Sequence, residues 1–276
     1  MNRVILCFCL GILTCFTGNS QTSNIPPKFS LGILGVVSWG GEHSSALSSK
    51  IPLGLDLARV KNVYAGTAYS LALNDDGTVV GWGSMDIIKA IPKELSCVTS
   101  LDLNYKFVIA VLGSGEVIAW GELPEGLAEF LNSLQNVKMV DYSVVPDRCL
   151  ILFNDGTLKM WGKQIPPDLK LPNNIKEVKS ITSGYNYNVA LKDDGTVAAW
   201  GRSAYVPMDF PKGLNNVIAV SATRHHVIAL LENGKILEWG ENKGVFGPQH
   251  PANLDNMILI QAGPGISHDI GLLRSA

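Results

Sequence analysis

All six tryptophans of the chain precede a glycine, at Trp39, Trp82, Trp120, Trp161, Trp200 and Trp239, with successive gaps of 43, 38, 41, 39 and 39 residues. A fixed period of this length marks a repeat architecture, in which one supersecondary unit recurs and buries its apolar face only against its neighbours. Each tryptophan holds the same place in that unit, which makes it a packing residue between adjacent sheets, with its indole N–H bonded to a loop.

The unit has internal structure. Gly77, Gly115, Gly156, Gly195 and Gly234 each stand five residues before their tryptophan, within DDGT, GSGE, NDGT, DDGT and ENGK. Asp-Gly and Asn-Gly between apolar runs signal a β-hairpin, because glycine takes the positive φ that such tight turns require. Runs such as SLALN, VIAVL and VALK precede the turn, and TVVGW, EVIAW and TVAAW follow it. Another short strand comes before each hairpin, as in VKNVYAG, VKMVDYS and VKSITSG, behind a Pro-containing connection. A single small sheet cannot bury both of its faces, so neighbouring sheets stack, and radial stacking about an axis gives a β-propeller.

The two ends of the sequence complement each other. MILIQAGPGISHDIGLLRSA holds inner strands without a tryptophan, whereas GVVSWGG at 35–41 is an outer strand with nothing before it. Joining them completes one blade from both termini and removes the exposed sheet edges. The expected fold is all-β: a seven-bladed β-propeller of four-stranded antiparallel blades over residues 35–276, closed by pairing of N- and C-terminal strands in one blade.

Ahead of it, residues 1–20 read as a secretory signal peptide. Arg3 supplies the positive start, Val4 to Phe16 form an apolar run, and Gly18 and Ser20 are the small residues for a cut before Gln21. A lipoprotein cut at Cys15 is a rival, and residues 21–34 form a linker. Cys7, Cys9 and Cys15 leave with the signal, so the mature chain keeps Cys97 and Cys149, either bridged or as two free thiols. No later segment is apolar enough for a membrane helix.

The segments AGTAYSLALNDDGTVVGWG (65–83) and SGYNYNVALKDDGTVAAWG (183–201) resemble the blades of the regulator-of-chromosome-condensation (RCC1-like) repeat family. The short period is similar to that of its secreted bacterial branch, which includes a propeller-type inhibitor of class A β-lactamases. The resemblance implies a propeller that binds proteins through aromatic residues in its rim loops. It also implies that Tyr69, Phe107, Tyr187, His226 and His268 stand where the family places a histidine, partly buried. Asn104, Val145 and Thr223 replace the glycine that Gly66 and Gly184 provide elsewhere.

Catalytic chemistry is not signalled. The turn pairs Asp75–Asp76 and Asp193–Asp194 lack the further oxygens of a calcium loop. His225 and His226 are adjacent on a strand edge and diverge, and Cys97 and Cys149 have no C-x-x-C spacing, so no metal or cofactor is expected. No nucleophile elbow, phosphate loop or dinucleotide fingerprint is present. Lys plus Arg total 22 against 24 Asp plus Glu, a net charge of -2, which disfavours nucleic acid.

The loops between first and second strands differ from blade to blade, and that is where a particular partner can be read. Tyr105, Lys106, Tyr185, Asn186, Arg224 and His225 carry the aromatic and arginine character of protein-interface hot spots. A secreted propeller that binds a protein, and inhibits a secreted or cell-wall enzyme by steric plugging, is the expectation. A lectin-like propeller requires repeated polar sites, and an enzyme with a central-channel site requires clustered, perturbed carboxylates. Nuclear exchange-factor activity conflicts with the signal peptide.

Overall fold

The computed structural model describes residues 59–240, apart from 67–68, 84–85, 145–146, 205, 207–213 and 225, together with 3–9, 13–19, 35–39, 55–56, 257–262 and 269–273. The linker expected at 21–34 lies outside the described residues.

The chain opens with β1 (Arg3–Cys9), β2 (Leu13–Asn19) and β3 (Gly35–Trp39). One antiparallel three-stranded sheet then recurs five times. The first blade is β4 (Val60–Ala65), β5 (Tyr69–Asn74) and β6 (Val79–Gly83), followed by the short helix α1 (Asp86–Lys89). The second is β7 (Val98–Leu103), β8 (Phe107–Leu112) and β9 (Val117–Gly121), followed by α2 (Leu127–Asn132). The third is β10 (Val137–Val144), β11 (Asp147–Phe153) and β12 (Leu158–Gly162); the fourth is β13 (Val178–Gly184), β14 (Tyr187–Lys192) and β15 (Val197–Gly201). The fifth is β16 (Val217–Ala222), β17 (His226–Leu231) and β18 (Ile236–Gly240), after which come β19 (Met257–Ala262) and β20 (Asp269–Leu273).

The terminal strands share one sheet, in the order β19-β20-β3-β1-β2. β20 runs antiparallel to β3 with Asp269 opposite Trp39, and β1 pairs with the other edge of β3, Ile5 opposite Ser38. First strands neighbour one another in the order β4, β7, β10, β13, β16, β19, and β19 also lies beside β4. The described residues form six sheets where seven blades were expected: the two terminal half-units share one sheet, and the five remaining Trp-Gly units supply one each. Among the described residues five of the six have three strands rather than four, the connections after the first three blades carrying short helical turns instead of a further strand.

The core lies between blades, which explains the sequence pattern. Middle strands such as FVIAVL are covered on both faces by neighbouring sheets and so read as unbroken apolar runs. Leu71 and Leu73 of the first blade pack with Leu101, Val108 and Trp120 of the second. Tyr187, Val189 and Leu191 of the fourth pack with Val227, Ala229 and Trp239 of the fifth. Trp82, Trp120, Trp200 and Trp239 are buried and Trp161 is half-buried; Trp39 is described by its strand position alone. Trp120 Nε1 donates to Ile87 O and Trp200 Nε1 to Leu169 O, each at 3.1 Å. Each of these two indoles fixes the connection arriving from the preceding blade.

The hairpin glycines do two jobs. Gly77, Gly115, Gly156, Gly195 and Gly234 all have φ between 77° and 82°. A Cβ on Gly115 would lie 2.8 Å from Asn136 Cα, and Val137 N–H donates to Gly115 O at 3.1 Å. The turn of one blade is therefore seated on the first strand of the next. Its side chains are turn chemistry: Asp76, Asp155 and Asp194 each accept the N–H and hydroxyl of the threonine two residues on. Those bonds hold Asp76 down at about 2. The glycine after Trp120 has the same rationale, since a Cβ on Gly121 would meet Lys106 O at 2.3 Å. Cys97 and Cys149 are free thiols, the first exposed and the second buried.

Candidate functional site

The five middle strands begin at one register: Tyr69, Phe107, Arg148, Tyr187 and His226 each pair with the glycine that follows their blade's tryptophan. All five are buried. Tyr69 Oη donates to Asn104 O of the second blade at 2.6 Å, and Tyr187 Oη to Thr223 O of the fifth at 2.6 Å. The Phe107 ring meets Tyr142 of the third blade edge-on, with centroids 4.9 Å apart. Arg148 donates to Gly184 O, Tyr187 O and Asn188 Oδ1 of the fourth blade at 3.0 to 3.2 Å. Burial lowers the Arg148 guanidinium to about 10, so it stays charged at neutral pH. Tyr69, Phe107, Arg148 and Tyr187 are pegs between blades, whereas His226 at the same register meets Thr223 of its own blade.

The pegs also account for the glycine that comes and goes three residues earlier. A Cβ on Gly66 would lie 2.6 Å from the Tyr69 ring, and one on Gly184 2.0 Å from the Tyr187 ring. Where His226 holds that register, Thr223 fits and its Oγ1 lies 3.0 Å from His226 Nδ1.

One or two residues before the pegs the chain turns outward. Tyr105 is 53% exposed, the most exposed large hydrophobic side chain among the described residues. Lys106 is exposed and braced by Glu122 at 3.0 Å. Tyr185 is half-buried, and Arg224 of the next blade covers its ring at 4.5 Å. Asn186 takes φ 59° and its carbonyl accepts Arg202 N–H at 2.7 Å, which ties the loop to the end of β15. The fold brings Tyr185, Asn186 and Arg224 together across one blade boundary. Tyr105 and Lys106 stand on the second blade, with the third between them and that group. His225 lies outside the described residues.

A second polar region was not foreseen. A cavity of about 390 Å³ runs between the first strands of all five blades, and Tyr64, Asp102, Asp141, Thr182 and Ser221 line it. Asp102 and Asp141 open partly onto its lumen, yet the strands around them strip water from both. Burial raises both carboxyls, Asp141 to about 6, and the charge of Asp141 raises Asp102 further. The signal was present in VTSLDL and VKMVDY, where an acid interrupts an otherwise apolar first strand. No group of three or more His, Cys, Asp or Glu suited to a metal occurs among the described residues. Nor is any helix among them long and apolar enough to cross a membrane.

Residues 178–205, which contain the fourth blade, match the Regulator of chromosome condensation (RCC1) repeat. Prp20p from Saccharomyces cerevisiae superposes with a TM-score of 0.55 at 18% identity, over 89% of this chain and 81% of that one. The chain folds as an RCC1-like β-propeller. Human WBSCR16 gives a similar propeller likeness, TM-score 0.56 at 16% identity over 100% of this chain and 99% of its own. At such identities the likeness is one of fold. In sequence, the RCC1-like propeller is 29% identical to the human E3 ubiquitin-protein ligase HERC2 over an alignment of 150 residues that covers 44% of this chain. It spans 3% of the length of HERC2.

Proposed function

We propose that this RCC1-like propeller is a secreted protein-binding module that presents its loop rim to a partner, blocking a secreted or cell-wall enzyme by steric plugging. The observation that carries this is the Tyr185–Arg224 stack beside Asn186, with Tyr105 and Lys106 exposed on the same rim. None of these side chains serves as a peg between blades, and aromatic and arginine side chains are the usual anchors of protein interfaces. Prp20p, which shares the fold, has binding properties to Gsp1p and histones, so a propeller of this kind is a workable platform for protein partners.

In this proposal residues 1–20 are a leader removed before Gln21, which takes β1 and β2 away and leaves β3 paired with β20. That pairing ties the ring shut. N-terminal sequencing of the exported protein checks the leader: a mature chain beginning at Met1 sinks it.

Binding is tested by capture of secreted and surface proteins, comparing wild type with a Tyr105→Ala, Tyr185→Ala, Arg224→Ala triple variant of equal thermal stability. A partner lost from the variant supports the rim, and equal capture by both removes it. The raised carboxyls of the axial cavity favour a second reading, an enzyme with a channel site. Against it, Asp102 Oδ2 already accepts Tyr142 N–H at 3.0 Å, a structural commitment between blades.

A further inference from the structure

The wall of the axial cavity carries one polar side chain per blade at a single register, opposite Leu71, Ile109, Leu150, Val189 and Ile228 of the middle strands. Three of these side chains reach forward to the next blade's main chain. Asp102 Oδ2 accepts Tyr142 N–H at 3.0 Å, Asp141 accepts Ser183 N–H, and Thr182 Oγ1 accepts Ala222 N–H at 3.0 Å. The threonine makes this bond without charge. The two aspartates bring a charge each, on adjacent strands, into a narrow lumen.

The Ser183 hydroxyl and the amides of Leu103, Tyr142 and Ser183 offset only part of those charges, and burial outweighs them. Arg148 on β11 is the cation acting on Asp141, and its guanidinium donates to Gly184 O, Tyr187 O and Asn188 Oδ1. Tyr64 on β4, Tyr69 on β5, Tyr142 on β10, Cys149 on β11 and Tyr187 on β14 surround the pair, and burial keeps all five neutral well above neutral pH. Lys138 also contributes to the cavity wall.

We propose that Asp102 and Asp141 form a proton-operated latch across the second, third and fourth blades. Protonated, each side chain keeps its bond to the neighbouring amide without repulsion, and the three first strands close on one another. Ionised, the two like charges share the lumen and loosen that arc of the ring. Because burial raises both carboxyls above their unfolded range, their stabilisation is complete below the unfolded carboxylate value. It is lost as pH rises from that value through the folded values, the loss from Asp141 being complete just above about 6 and that from Asp102 continuing beyond.

The test follows thermal unfolding of the whole chain by circular dichroism from pH 4.5 to 8.5, for wild type, Asp141→Asn and the Asp102→Asn, Asp141→Asn pair. Wild type loses roughly 5 °C or more of Tm between pH 5 and pH 8 through these two groups, and the double variant loses less than half of that. His226, buried in the fifth blade, is common to all three proteins, so the difference between curves isolates the carboxyls. Parallel curves for wild type and double variant overturn the latch. Should the double variant not fold, amide exchange of wild type decides. Protection factors at Tyr142 and Ser183 that fall at least tenfold from pH 5 to pH 8 support the proposal, and unchanged protection overturns it.

Discussion

At the hairpin end of each of the five internal blades stands a glycine near φ 80°, and in the first four it is seated on the next blade. At the opposite end stand Tyr69, Phe107, Arg148, Tyr187 and His226, four kinds of side chain in five blades, all buried. Both ends join neighbouring sheets, but they do so with different means. The hairpin end uses main chain against main chain, with no room for a Cβ at Gly77 or Gly115, and the positive φ shared by all five turns repeats the same residue. The peg end uses side chains, and any side chain that reaches the next blade's carbonyls or ring is admitted. Variation between repeats therefore does not by itself mark a surface. Tyr105 and Phe107 both sit at places that vary, yet the first is exposed and the second fills a joint.

The comparison can be broken most forcefully at Arg148. Arg148→Ala leaves Gly184 O and Tyr187 O without their buried charged donor, and the expected cost is about 3–5 kcal/mol by urea unfolding. A loss under about 1 kcal/mol means the peg is decorative. Gly115→Ala probes the other end. Its φ of 82° and the 2.8 Å approach to Asn136 Cα predict a loss of about 1–3 kcal/mol in the same assay. Tyr187→Phe removes one hydroxyl from between the fourth and fifth blades, and about 1–2 kcal/mol is expected, with the ring packing retained. The rim triple variant sharpens the contrast from below. Each of its three sites should shift stability by less than about 0.5 kcal/mol, since none of the three joins sheets through a buried side chain. A rim variant as damaging as Arg148→Ala would erase the distinction between joint and surface.

Much of this architecture is legible in the chain. The Trp-Gly period marks each sheet, the Asp-Gly turns place each hairpin, and the apolar second strands announce burial on both faces. The six Trp-Gly motifs mark six sheets once residues 35–39 and 257–273 share one, so the expectation of seven overcounted the units. The connections also misled, since those after the first three blades carry short helical turns, and among the described residues no fourth strand forms in the five internal blades.

The rim residues could be named from their loop position, but their grouping could not. Arg224 meets Tyr185 because β16 lies beside β13 and β14, a neighbourhood set by how tightly the blades splay. Arg148 stands where the other internal blades hold a ring, and only the carbonyls of the fourth blade reveal it as a joint. Asp102 and Asp141 were hidden for a related reason: an acid in an apolar strand has no partner visible nearby in sequence, and here its bond lies one blade onward.

The pairing of β3 with β20 also has a consequence in time. Synthesis delivers β3 among the first structured segments and its partner among the last. Blades one to five can begin to assemble while translation continues, each new sheet covering the face of the one before. β3 must wait, its edge toward β20 unsatisfied, until all five internal blades have emerged. The slowest step of maturation is then the meeting of β3 with β20 rather than the folding of any one blade.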